Sequence, residues 1–527
     1  MTFKNEETYV RAELEGTESC YHRAYEKAAE ELRGSVREST TNYPNHIDGL
    51  PRFASKTFKV LSPGNEDLVV GLFQRSTPDE VREAIASARR SFLTWSREDW
   101  EVRVKIFERA ADLMRRQKYA LAAAITLDNG KNRHEAIGDV DEAIDFIEYY
   151  CSEMRRTDGF QRLSNPAYVD EEVRVVLRPY GTWAVICPFN FPLAITTGMT
   201  TGVLLTGNTA VLKPSSTAPL PVHLFYEILA QAGLPNGVLN LVAGGGEEVG
   251  GTLAKSPQID GVVFTGSRDV GLDIMRSSPV EKQRPIIAEM GSKNPVIVSG
   301  EADLDEAADG VVLSAFGYSG QKCSACSRVY VQDAIYEDFM TLVVEKTMAL
   351  TVGDPFAKDT FMGPVITRKA MENYLLWSDM ARRDGKVLMG GKRLTEGGLD
   401  KGFYVQPTVV EGLPEDHELV RRELFVPILC VQRYRALEDA VERANATDFG
   451  LTAGIFSKNE VEIKYFFDRI EFGVTYANRR KGGSTGAMVG SQAFSGWKGS
   501  GSTGKGTGSR HYLQQFLREQ SRTISRA

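Results

Sequence analysis

The stretch TWAVICPFNFPLAITTGMTTGVLLTGNTAVLKP, residues 182–214, is the part of the chain that says most about the fold. It begins and ends with apolar runs of strand length, and the apolar segment between them has the length of a helix. No charged residue occurs before Lys213, but Pro188, Asn190, Pro192 and a series of threonines interrupt the run. A buried strand–helix–strand unit explains such polar breaks better than a membrane span does.

The same alternation continues along the chain. The segments PVHLFYEILAQAG and EEVGGTLAKS are predicted helices, and GVLNLVAG and GVVFTGS are predicted strands. Nearly unbroken apolar strands that alternate with helices are typical of a parallel sheet covered on both faces. The sequence therefore predicts an α/β fold, and we expect ligands at the carboxyl ends of its strands, where such sheets bind them.

A second α/β region extends from about Glu289 to Arg479 and includes the strand-like segments PVIVSG and SRVYVQ. Before the first region, HRAYEKAAEELRGSV and TPDEVREAIASARRSFLTW are predicted helices, and Pro78 lies in the first turn of the latter. EEVRVVLRPYG alternates as a strand does. The tail between Lys481 and Lys505 is rich in Gly and Ser, so it is a predicted loop, followed by a predicted helix at HYLQQFLREQ.

The composition limits the classes of function. The chain has 527 residues, of which 42% are hydrophobic and 25% charged, as in ordinary globular proteins of two or three domains. The net charge of −7 lacks the basic footprint of a nucleic-acid-binding protein. Six scattered cysteines and a polar N-terminus without an apolar signal segment favour a reducing compartment, so we expect a cytoplasmic protein.

Two of the cysteines lie close together in GQKCSACSR, residues 320–328, and the residues alone leave three interpretations open. A metal site or a redox dithiol is one, although Cys323 and Cys326 are only two of the roughly four ligands that zinc needs. The chain has neither a second CxxC nor an HxxxH pair. The cysteines are otherwise small buried residues, or one is a nucleophile for a carbonyl and is assisted by an oxyanion donor and a proton acceptor.

Six segments in order, PFNFP, VLKPSS, FTGS, EMGSKNP, GQKCSACSR and ELFVP, resemble the NAD(P)-dependent aldehyde dehydrogenase superfamily. The resemblance extends from about residue 55 to the end, and the separations 289 − 190 = 99 and 323 − 289 = 34 are those of the family. It implies a Rossmann-type cofactor domain, an α/β catalytic domain and a β-hairpin arm for oligomerisation. It also implies that the protein oxidises a small aldehyde to a carboxylate with NAD(P)+.

The resemblance assigns catalytic roles to three residues and implies no metal. Cys323 is the nucleophile, which forms first a thiohemiacetal and then a thioester, and Cys326 has no catalytic role. The Asn190 side-chain amide and the Cys323 backbone N–H form an oxyanion hole. Glu289 is the base that activates water to hydrolyse the thioester.

The implied cofactor is NAD. NADP also stays open, because Ser216 stands where many NAD-preferring members have a glutamate. The turn FTGSRDVG lacks the GxGxxG fingerprint, but its small residues would let a pyrophosphate approach a helix N-terminus. The residues expected to contact the cofactor are Lys213, Ser216, Gly266, Ser267, Gly271, Glu423 and Phe425.

Three features resemble the branch that oxidises L-glutamate γ-semialdehyde to L-glutamate in proline catabolism, the 1-pyrroline-5-carboxylate dehydrogenases. They are GQKCSACSR, the tail STGAMVGSQAFSGWKGSGSTGKGTGSRHYLQQFLREQ, and the leader FKNEET with YHRAYEKA. The likeness implies that Ser324, Gly508 and Ser509 hold the α-carboxylate of the substrate, and that Lys322 adds positive potential nearby. The alternatives are another small semialdehyde, succinic or 2-oxoglutarate semialdehyde, and a non-enzymatic protein with the same fold.

The sequence departs from the family pattern at a few positions. Ser292 and Val426 stand where glycine is usual, and Arg510 stands where the branch more often has proline. Ala493 and Ser495 replace a usual proline and glycine. None of these changes removes a chemical group that the mechanism needs.

The resemblance also predicts a domain layout. Residues 1–50 form a helical extension, and residues 51–288 form the NAD(P)-binding domain, interrupted by arm strands near 163–178. Residues 289–480 form the catalytic domain, and residues 481–527 form the substrate-anchor loop and a C-terminal oligomerisation segment. The arm, expected around Ala167–Val176 with a final strand near 515–525, predicts a homo-oligomer, either a dimer or larger.

Overall fold

The computed structural model describes residues 3–6, 19–480 and 488–526. In chain order its α-helices are α1 (Ser19–Glu38), α2 (Pro78–Trp95), α3 (Trp100–Arg116), α4 (Lys118–Asn129), α5 (Arg133–Arg156), α6 (Ala194–Leu205), α7 (Leu220–Gln231), α8 (Gly251–Lys255), α9 (Arg268–Arg276), α10 (Leu304–Phe316), α11 (Tyr336–Met348), α12 (Arg368–Asp384), α13 (Glu418–Arg421), α14 (Leu437–Asn445) and α15 (Glu460–Arg469).

The strands are β1 (Asn42–Tyr43), β2 (Asn45–Ile47), β3 (Leu50–Arg52), β4 (Thr57–Ser62), β5 (Asn65–Gln74), β6 (Gln161–Ser164), β7 (Glu171–Pro179), β8 (Thr182–Ile186), β9 (Thr209–Lys213), β10 (Leu239–Leu241), β11 (Gly261–Thr265), β12 (Ile286–Glu289), β13 (Asn294–Val298), β14 (Cys326–Gln332), β15 (Lys386–Met389), β16 (Thr408–Glu411), β17 (Ile428–Tyr434), β18 (Phe449–Gly450), β19 (Thr452–Phe456), β20 (Val474–Ala477), β21 (Trp497–Lys498) and β22 (Leu517–Ser525).

The first large sheet has seven strands in the order β12-β11-β8-β9-β10-β2-β3. The strands from β12 to β10 are parallel to one another, whereas β2 and β3 form an antiparallel edge. The quoted stretch forms β8, α6 and β9, and every residue of these two strands is buried. Burial on both faces explains why the strands contain almost only apolar residues, and the predicted parallel sheet is confirmed.

The second large sheet also has seven strands, in the order β15-β16-β17-β14-β13-β19-β20. Only β15, at one edge, is antiparallel to its neighbour. The prediction of two α/β regions is therefore confirmed. Within the described ranges, the helices are all too short or too polar to cross a membrane.

A three-stranded antiparallel sheet, β22-β7-β6, contains the predicted arm strands and the C-terminal strand. The pairing of β22 with β7 runs from Leu517 opposite Pro179 to Ser525 opposite Glu171. The prediction of a helix at HYLQQFLREQ is wrong, since only the single turn Leu513–Phe516 is helical. The hydrogen bonds that β7 offers to the following residues outweigh their local helix propensity.

The predicted helices near the N-terminus are present as α1 and α2. Thr77 caps α2 in a capping box with Glu80, and Pro78 occupies the first turn as expected. Residues 1–2 and 7–18, part of the predicted extension and of the FKNEET leader, lie outside the described residues, as do residues 481–487 of the Gly-rich tail. The domain layout stays a prediction.

A buried ion pair joins the helical layer to the loop after β8. Lys131 Nζ lies 2.9 Å from Asp139 Oδ2, and both side chains are completely buried. The other carboxylate oxygen of Asp139 accepts the Ala194 N–H, at the start of α6, at 2.7 Å. The Lys131 ammonium lies 3.4 Å from the centroid of the Phe191 ring. The pair therefore fixes both the end of this loop and the residue after Asn190.

We expect Asp139→Ala to lower the free energy of unfolding by about 3–5 kcal/mol, because it leaves the Lys131 ammonium buried without its counter-ion. Equilibrium urea unfolding followed by circular dichroism measures the change. The matched control is Asp468→Ala, which breaks the exposed pair with Lys464 and should cost far less. Equal losses in the two variants would contradict the dominant role given to the buried pair.

Candidate active site

A cavity lies where the carboxyl edge of the first large sheet meets the amino edge of the second. Thr265 and Glu289 are the last residues of β11 and β12. Cys323 and Ser324 precede β14, and Leu451 precedes β19. The other lining residues, mostly apolar, are Glu142, Phe146, Phe191, Ile195, Met199, Met290, Phe494, Thr507 and Tyr512.

The loop that carries Cys323 is held by the side chain of Asn294, the first residue of β13. Its amide donates to the carbonyl oxygens of Cys323 at 2.7 Å and Ala325 at 2.9 Å. Its own carbonyl oxygen accepts the Thr452 N–H at 2.9 Å. The Thr452 hydroxyl donates to the Ser324 carbonyl at 3.2 Å. Asn294 thus fixes the backbone from Cys323 to Ala325, on the C-terminal side of the thiol.

Burial raises the pKa of the Cys323 thiol to about 12, and the nearby carboxylates of Glu423, Glu289 and Glu142 add to the rise. A thiol with such a pKa is almost entirely protonated at pH 7. Cys323 is nevertheless accessible from the cavity, which it lines. The site therefore presents a neutral thiol, which has to lose its proton before it becomes a strong nucleophile.

Glu289 brings the second reactive group into the cavity. Burial raises the pKa of its carboxyl to about 8, and a hydrogen bond from the Gly496 N–H opposes the rise. Its Oε2 atom is buried without a hydrogen-bond partner in the described part of the chain. A carboxyl that titrates near neutral pH and has an unused oxygen is suited to accept a proton from a water molecule or a ligand.

Asn190 lies in the loop between β8 and α6 and is only 3% exposed. The next residue, Phe191, lines the cavity and carries the contact with Lys131. Asn129 donates to the Phe189 carbonyl at 3.3 Å on the other side of Asn190. The loop is therefore held on both sides of the predicted oxyanion donor, which itself is not among the cavity-lining residues.

Cys326 lies apart from the cavity. It is 3% exposed, and its thiol donates to the Arg328 carbonyl at 3.4 Å. Burial raises the pKa of this thiol to about 12 as well. None of the six cysteines, all of which lie in the described ranges, forms a disulfide. Among the described residues no group of three or more His, Cys, Asp or Glu side chains is arranged to hold a metal ion.

Two predicted cofactor residues lie at the carboxyl end of β9. Lys213, 5% exposed, donates from Nζ to the Pro214 carbonyl at 3.0 Å, and burial lowers the pKa of its ammonium to about 8. The Ser216 hydroxyl donates to the Gly244 carbonyl at 3.0 Å. Both side chains are thus at the sheet edge where a parallel α/β sheet binds its ligands.

Gly266, Ser267 and Gly271 surround the N-terminus of α9. The Ser267 hydroxyl caps the helix and accepts the Val270 N–H at 3.5 Å. A Cβ on Gly266 would collide with the Phe264 ring, and one on Gly271 would collide with the Met290 sulfur. These glycines allow α9 to pack closely against the residues at the ends of β11 and β12.

Glu423 and Phe425 belong to the second large α/β unit. The Glu423 carboxylate accepts the Ser292 N–H at 2.8 Å, and burial raises its pKa to about 7. Phe425 has a left-handed backbone, with φ of 58°, and its ring meets the Phe189 ring edge-on at 5.8 Å. Ser292, a departure from the family pattern, uses its hydroxyl to accept the Leu451 N–H at 3.3 Å.

The four predicted substrate-binding residues have different surroundings in the structure. Ser324 is 2% exposed and lines the cavity. Gly508 has φ of 68°, and its N–H donates to the Tyr150 hydroxyl at 3.1 Å. The Ser509 hydroxyl donates to the Gly506 carbonyl at 2.8 Å. Lys322 does not line the cavity, and its ammonium is paired with Glu135 at 2.5 Å.

Sequence reasoning gave no role to three polar residues of the site, Glu142, Asn294 and Asp139. Asn294 and Asp139 are buried and bond across elements far apart in the chain. Glu142 lines the cavity from α5, where it is one acid among several in GDVDEAIDFIEYY. The signal available in the sequence was a set of acidic residues in the otherwise apolar face of a helix. That signal does not tell which of the acids faces a ligand.

Comparison with known proteins gives a consistent result. The aldehyde dehydrogenase family matches residues 52–521. The chain is 39% identical over 500 residues to the 1-pyrroline-5-carboxylate dehydrogenase of Geobacillus kaustophilus (strain HTA426), which covers 94% of this chain and 95% of that protein. It is 37% identical over 509 residues to 1-pyrroline-5-carboxylate dehydrogenase 1 of Halalkalibacterium halodurans, with 95% of this chain and 96% of that protein covered.

Solved structures are similar over the whole chain. The 1-pyrroline-5-carboxylate dehydrogenase from Thermus with bound NAD superimposes with a TM-score of 0.92 and 35% identity, covering 100% of this chain and 99% of that one. Proline utilization A from Bdellovibrio bacteriovorus, inactivated by N-propargylglycine, gives a TM-score of 0.93 and 34% identity over 99% of this chain. The chain spans only 53% of that longer protein.

We expect iodoacetamide to alkylate Cys323 in the folded protein well before Cys326, because only Cys323 lines the cavity. The reagent reacts with the thiolate, and the pKa of the Cys323 thiol is about 12. The rate should therefore rise about tenfold per pH unit between roughly pH 7 and 9. Peptide mapping by mass spectrometry in a Cys20→Ser background, which removes the exposed cysteine, measures both sites. Equal alkylation of the two cysteines would contradict the distinction between them.

Proposed function

This chain belongs to the aldehyde dehydrogenase family, and we propose that it oxidises L-glutamate γ-semialdehyde to L-glutamate in proline catabolism, with NAD+ as the hydride acceptor. One observation carries the proposal. A single cavity brings together the Cys323 thiol, the Glu289 carboxyl with its unpartnered buried oxygen, and Ser324. The similarity to 1-pyrroline-5-carboxylate dehydrogenases over nearly the whole chain supports the choice of substrate.

In the first step, the Cys323 sulfur attacks the aldehyde carbon, and the thiol proton is lost to solvent. A carbon–sulfur bond forms, and the electron pair of the carbonyl bond moves onto the oxygen. The Asn190 amide and the Cys323 backbone N–H donate to this oxygen and stabilise its charge. Losing one such donor typically costs about 3–4 kcal/mol in the transition state.

The residues at the carboxyl edge of the first sheet, together with Glu423 of the second α/β unit, fit NAD. Lys213 supplies a buried ammonium, Ser267 and the N-terminus of α9 supply donors for phosphate oxygens, and Glu423 supplies an acceptor for ribose hydroxyls. Ser216 carries no charge that would repel a 2′-phosphate, so NADP stays compatible with the site. The chemistry that the bound cofactor supplies is acceptance of the hydride from the carbon attached to Cys323.

Loss of that hydride leaves a thioester on Cys323, and Glu289 is the residue we assign to its hydrolysis. Its carboxylate takes a proton from water while the water oxygen attacks the thioester carbon. The carbon–sulfur bond then breaks, which releases the carboxylic acid and returns Cys323. Because the pKa of Glu289 is about 8, the carboxylate form needed for this step grows as the pH rises through that value.

The proposed substrate carries an ammonium and a carboxylate at the end opposite its aldehyde. We assign the carboxylate to the Ser324 hydroxyl and to the loop of Gly508 and Ser509. Since Gly508 already donates to Tyr150, its contribution is the left-handed turn, which a larger residue would strain. The Glu142 carboxylate, at the same cavity, has the charge that suits the ammonium.

We also propose that the protein is a homo-oligomer, a dimer or larger, and that it is cytoplasmic. The β22-β7-β6 sheet supports the first proposal, because β22 pairs with β7 alone among the described strands and exposes its side chains from Arg518 to Ser525. Six cysteines without a disulfide among them support a reducing compartment. We assign Lys322 a structural role. Its ammonium pairs with Glu135, and this pair stabilises the Cys323 loop.

We expect Glu289→Gln to release a burst of about one NADH per active site and then to turn over slowly, because hydride transfer precedes thioester hydrolysis. Stopped-flow absorbance of NADH measures the burst. The steady-state rate of the wild type should rise as the pH passes about 8, and the variant should lose this dependence. Cys323→Ala is the control without a burst. A missing burst in Glu289→Gln would contradict its placement after hydride transfer.

We expect Ser324→Ala to lower kcat/KM for L-glutamate γ-semialdehyde by about 10- to 100-fold, because it removes one hydrogen bond to a charged group. Propanal has no carboxylate and should lose far less. Ser327→Ala is the matched control, since Ser327 lies on the same segment but does not line the cavity. Equal losses for both aldehydes would overturn the carboxylate assignment. A wild type that prefers succinic semialdehyde would overturn the choice of substrate.

A further inference from the structure

Residues Phe3–Glu6, named here the N-terminal strap, pack against helix α5 beside the cavity. The Asn5 side-chain amide donates to Asp145 Oδ2 at 2.9 Å, and the Glu6 N–H donates to Asp145 Oδ1 at 2.7 Å. Asp145 is only 7% exposed, so the strap satisfies both oxygens of a buried carboxylate. The next residue of the helix, Phe146, lines the cavity.

The strap also contacts the C-terminal tail. The same Asn5 amide donates to the Val489 carbonyl at 3.1 Å. The Phe3 ring meets the Tyr149 ring edge-on at 5.2 Å. The Phe3 and Tyr149 rings fill the space beside Gly490, because a Cβ on Gly490 would lie 3.0 Å from an atom of each ring. Three groups of the strap, the Phe3 ring, the Asn5 amide and the Glu6 N–H, therefore hold α5 and the tail together.

Gly508 lies between these two elements. Its carbonyl accepts the Gly490 N–H at 2.9 Å, and its N–H donates to the Tyr150 hydroxyl of α5 at 3.1 Å. A Cβ on Gly508 would lie 3.3 Å from the Cα of Val489. The strap contacts Val489 itself, and Gly490 and Tyr150 directly follow the contacted residues Val489 and Tyr149. The position of the loop is thus tied to the strap on both sides.

Charge fixes the strap itself. The Glu6 carboxylate lies 2.7 Å from Arg115 Nη2, on α3, and 3.7 Å from Lys118 Nζ, on α4. Two cations from neighbouring helices thus hold the strap at the residue after Asn5. Phe3 and Glu6 are half-buried, whereas Lys4 and Asn5 are exposed. The contacts that reach α5 and the tail are made by the Phe3 ring, the Asn5 amide and the Glu6 N–H.

We infer that the N-terminal strap positions the loop of Gly508 and Ser509, and that Asn5 thereby helps to set the affinity for aldehydes that carry a distal carboxylate. Asn5 is a positioning residue, since it acts through Asp145 and Val489 and touches no reacting atom. The inference rests on the proposed function for its substrate, but the contacts that carry it do not. It also gives a physical role to the FKNE segment of the leader.

The test compares Asn5→Ala with the matched control Lys4→Ala in the full-length protein. One readout is hydrogen exchange by mass spectrometry over residues 500–512, which needs no substrate. The other is steady-state kinetics with L-glutamate γ-semialdehyde and with propanal. For Asn5→Ala we expect faster exchange in that segment and a KM for the semialdehyde raised about three- to tenfold, with kcat within about twofold. Propanal kinetics and the Lys4→Ala control should stay near wild type.

A swapped pair sharpens the test. Asn5→Asp alone should be worse than Asn5→Ala, because it sets a second carboxylate against Asp145. Adding Asp145→Asn should recover exchange and KM in part, since the amide and carboxylate then exchange places. Unchanged exchange in Asn5→Ala, equal kinetic losses for both aldehydes, or a swap worse than the single variant would overturn the inference. If the wild type does not oxidise the semialdehyde, the proposed function fails and the exchange data alone decide on the strap.

Discussion

The buried ion pair of Lys131 and Asp139 is the interaction on which the site depends most. Neither charge is exposed, so each requires the other, and the loss of one would leave an uncompensated charge in the interior. Asp139 also accepts the Ala194 N–H, and the Lys131 ammonium lies over the Phe191 ring, so both residues of the pair contact the same loop. That loop carries Asn190 and part of the cavity wall. The need to keep these two buried charges paired thereby sets the geometry of the loop that carries Asn190.

The site combines two sheet edges of opposite sense. The first sheet contributes residues at the carboxyl ends of its strands, among them Glu289, and the second contributes Cys323 from the amino end of β14. Within the second sheet, Asn294 begins β13 and its side chain holds the backbone from Cys323 to Ala325. Each edge contributes one reactive group, and both groups line the same cavity. Such an arrangement is what proximity effects in catalysis require.

Much of this could be predicted from sequence, and the exceptions have physical causes. Strands β8 and β9 are buried on both faces, so their apolar runs identified a parallel sheet and the edge at which to find Lys213 and Glu289. Cys323 precedes its strand, and only the family resemblance identified it. The tail from Leu517 onward has a helix-forming composition, but it pairs with β7, which is distant in the chain. Local propensity carries no information about such a partner, nor about which acid of α5 reaches the cavity.

The charges around Cys323 explain how a reactive cysteine can be kept safe between turnovers. Reactive thiols usually lie near cations that lower their pKa. Here burial raises the pKa of the Cys323 thiol, and Glu423, Glu289 and Glu142 add to the rise. The nearest buried cation on the loop, Lys322, is committed to Glu135. Oxidation proceeds through the thiolate, so a thiol held in its protonated form resists it. Burial and the carboxyl groups that we assign to hydrolysis and ligand binding therefore together favour the protonated thiol while the site waits for its ligands.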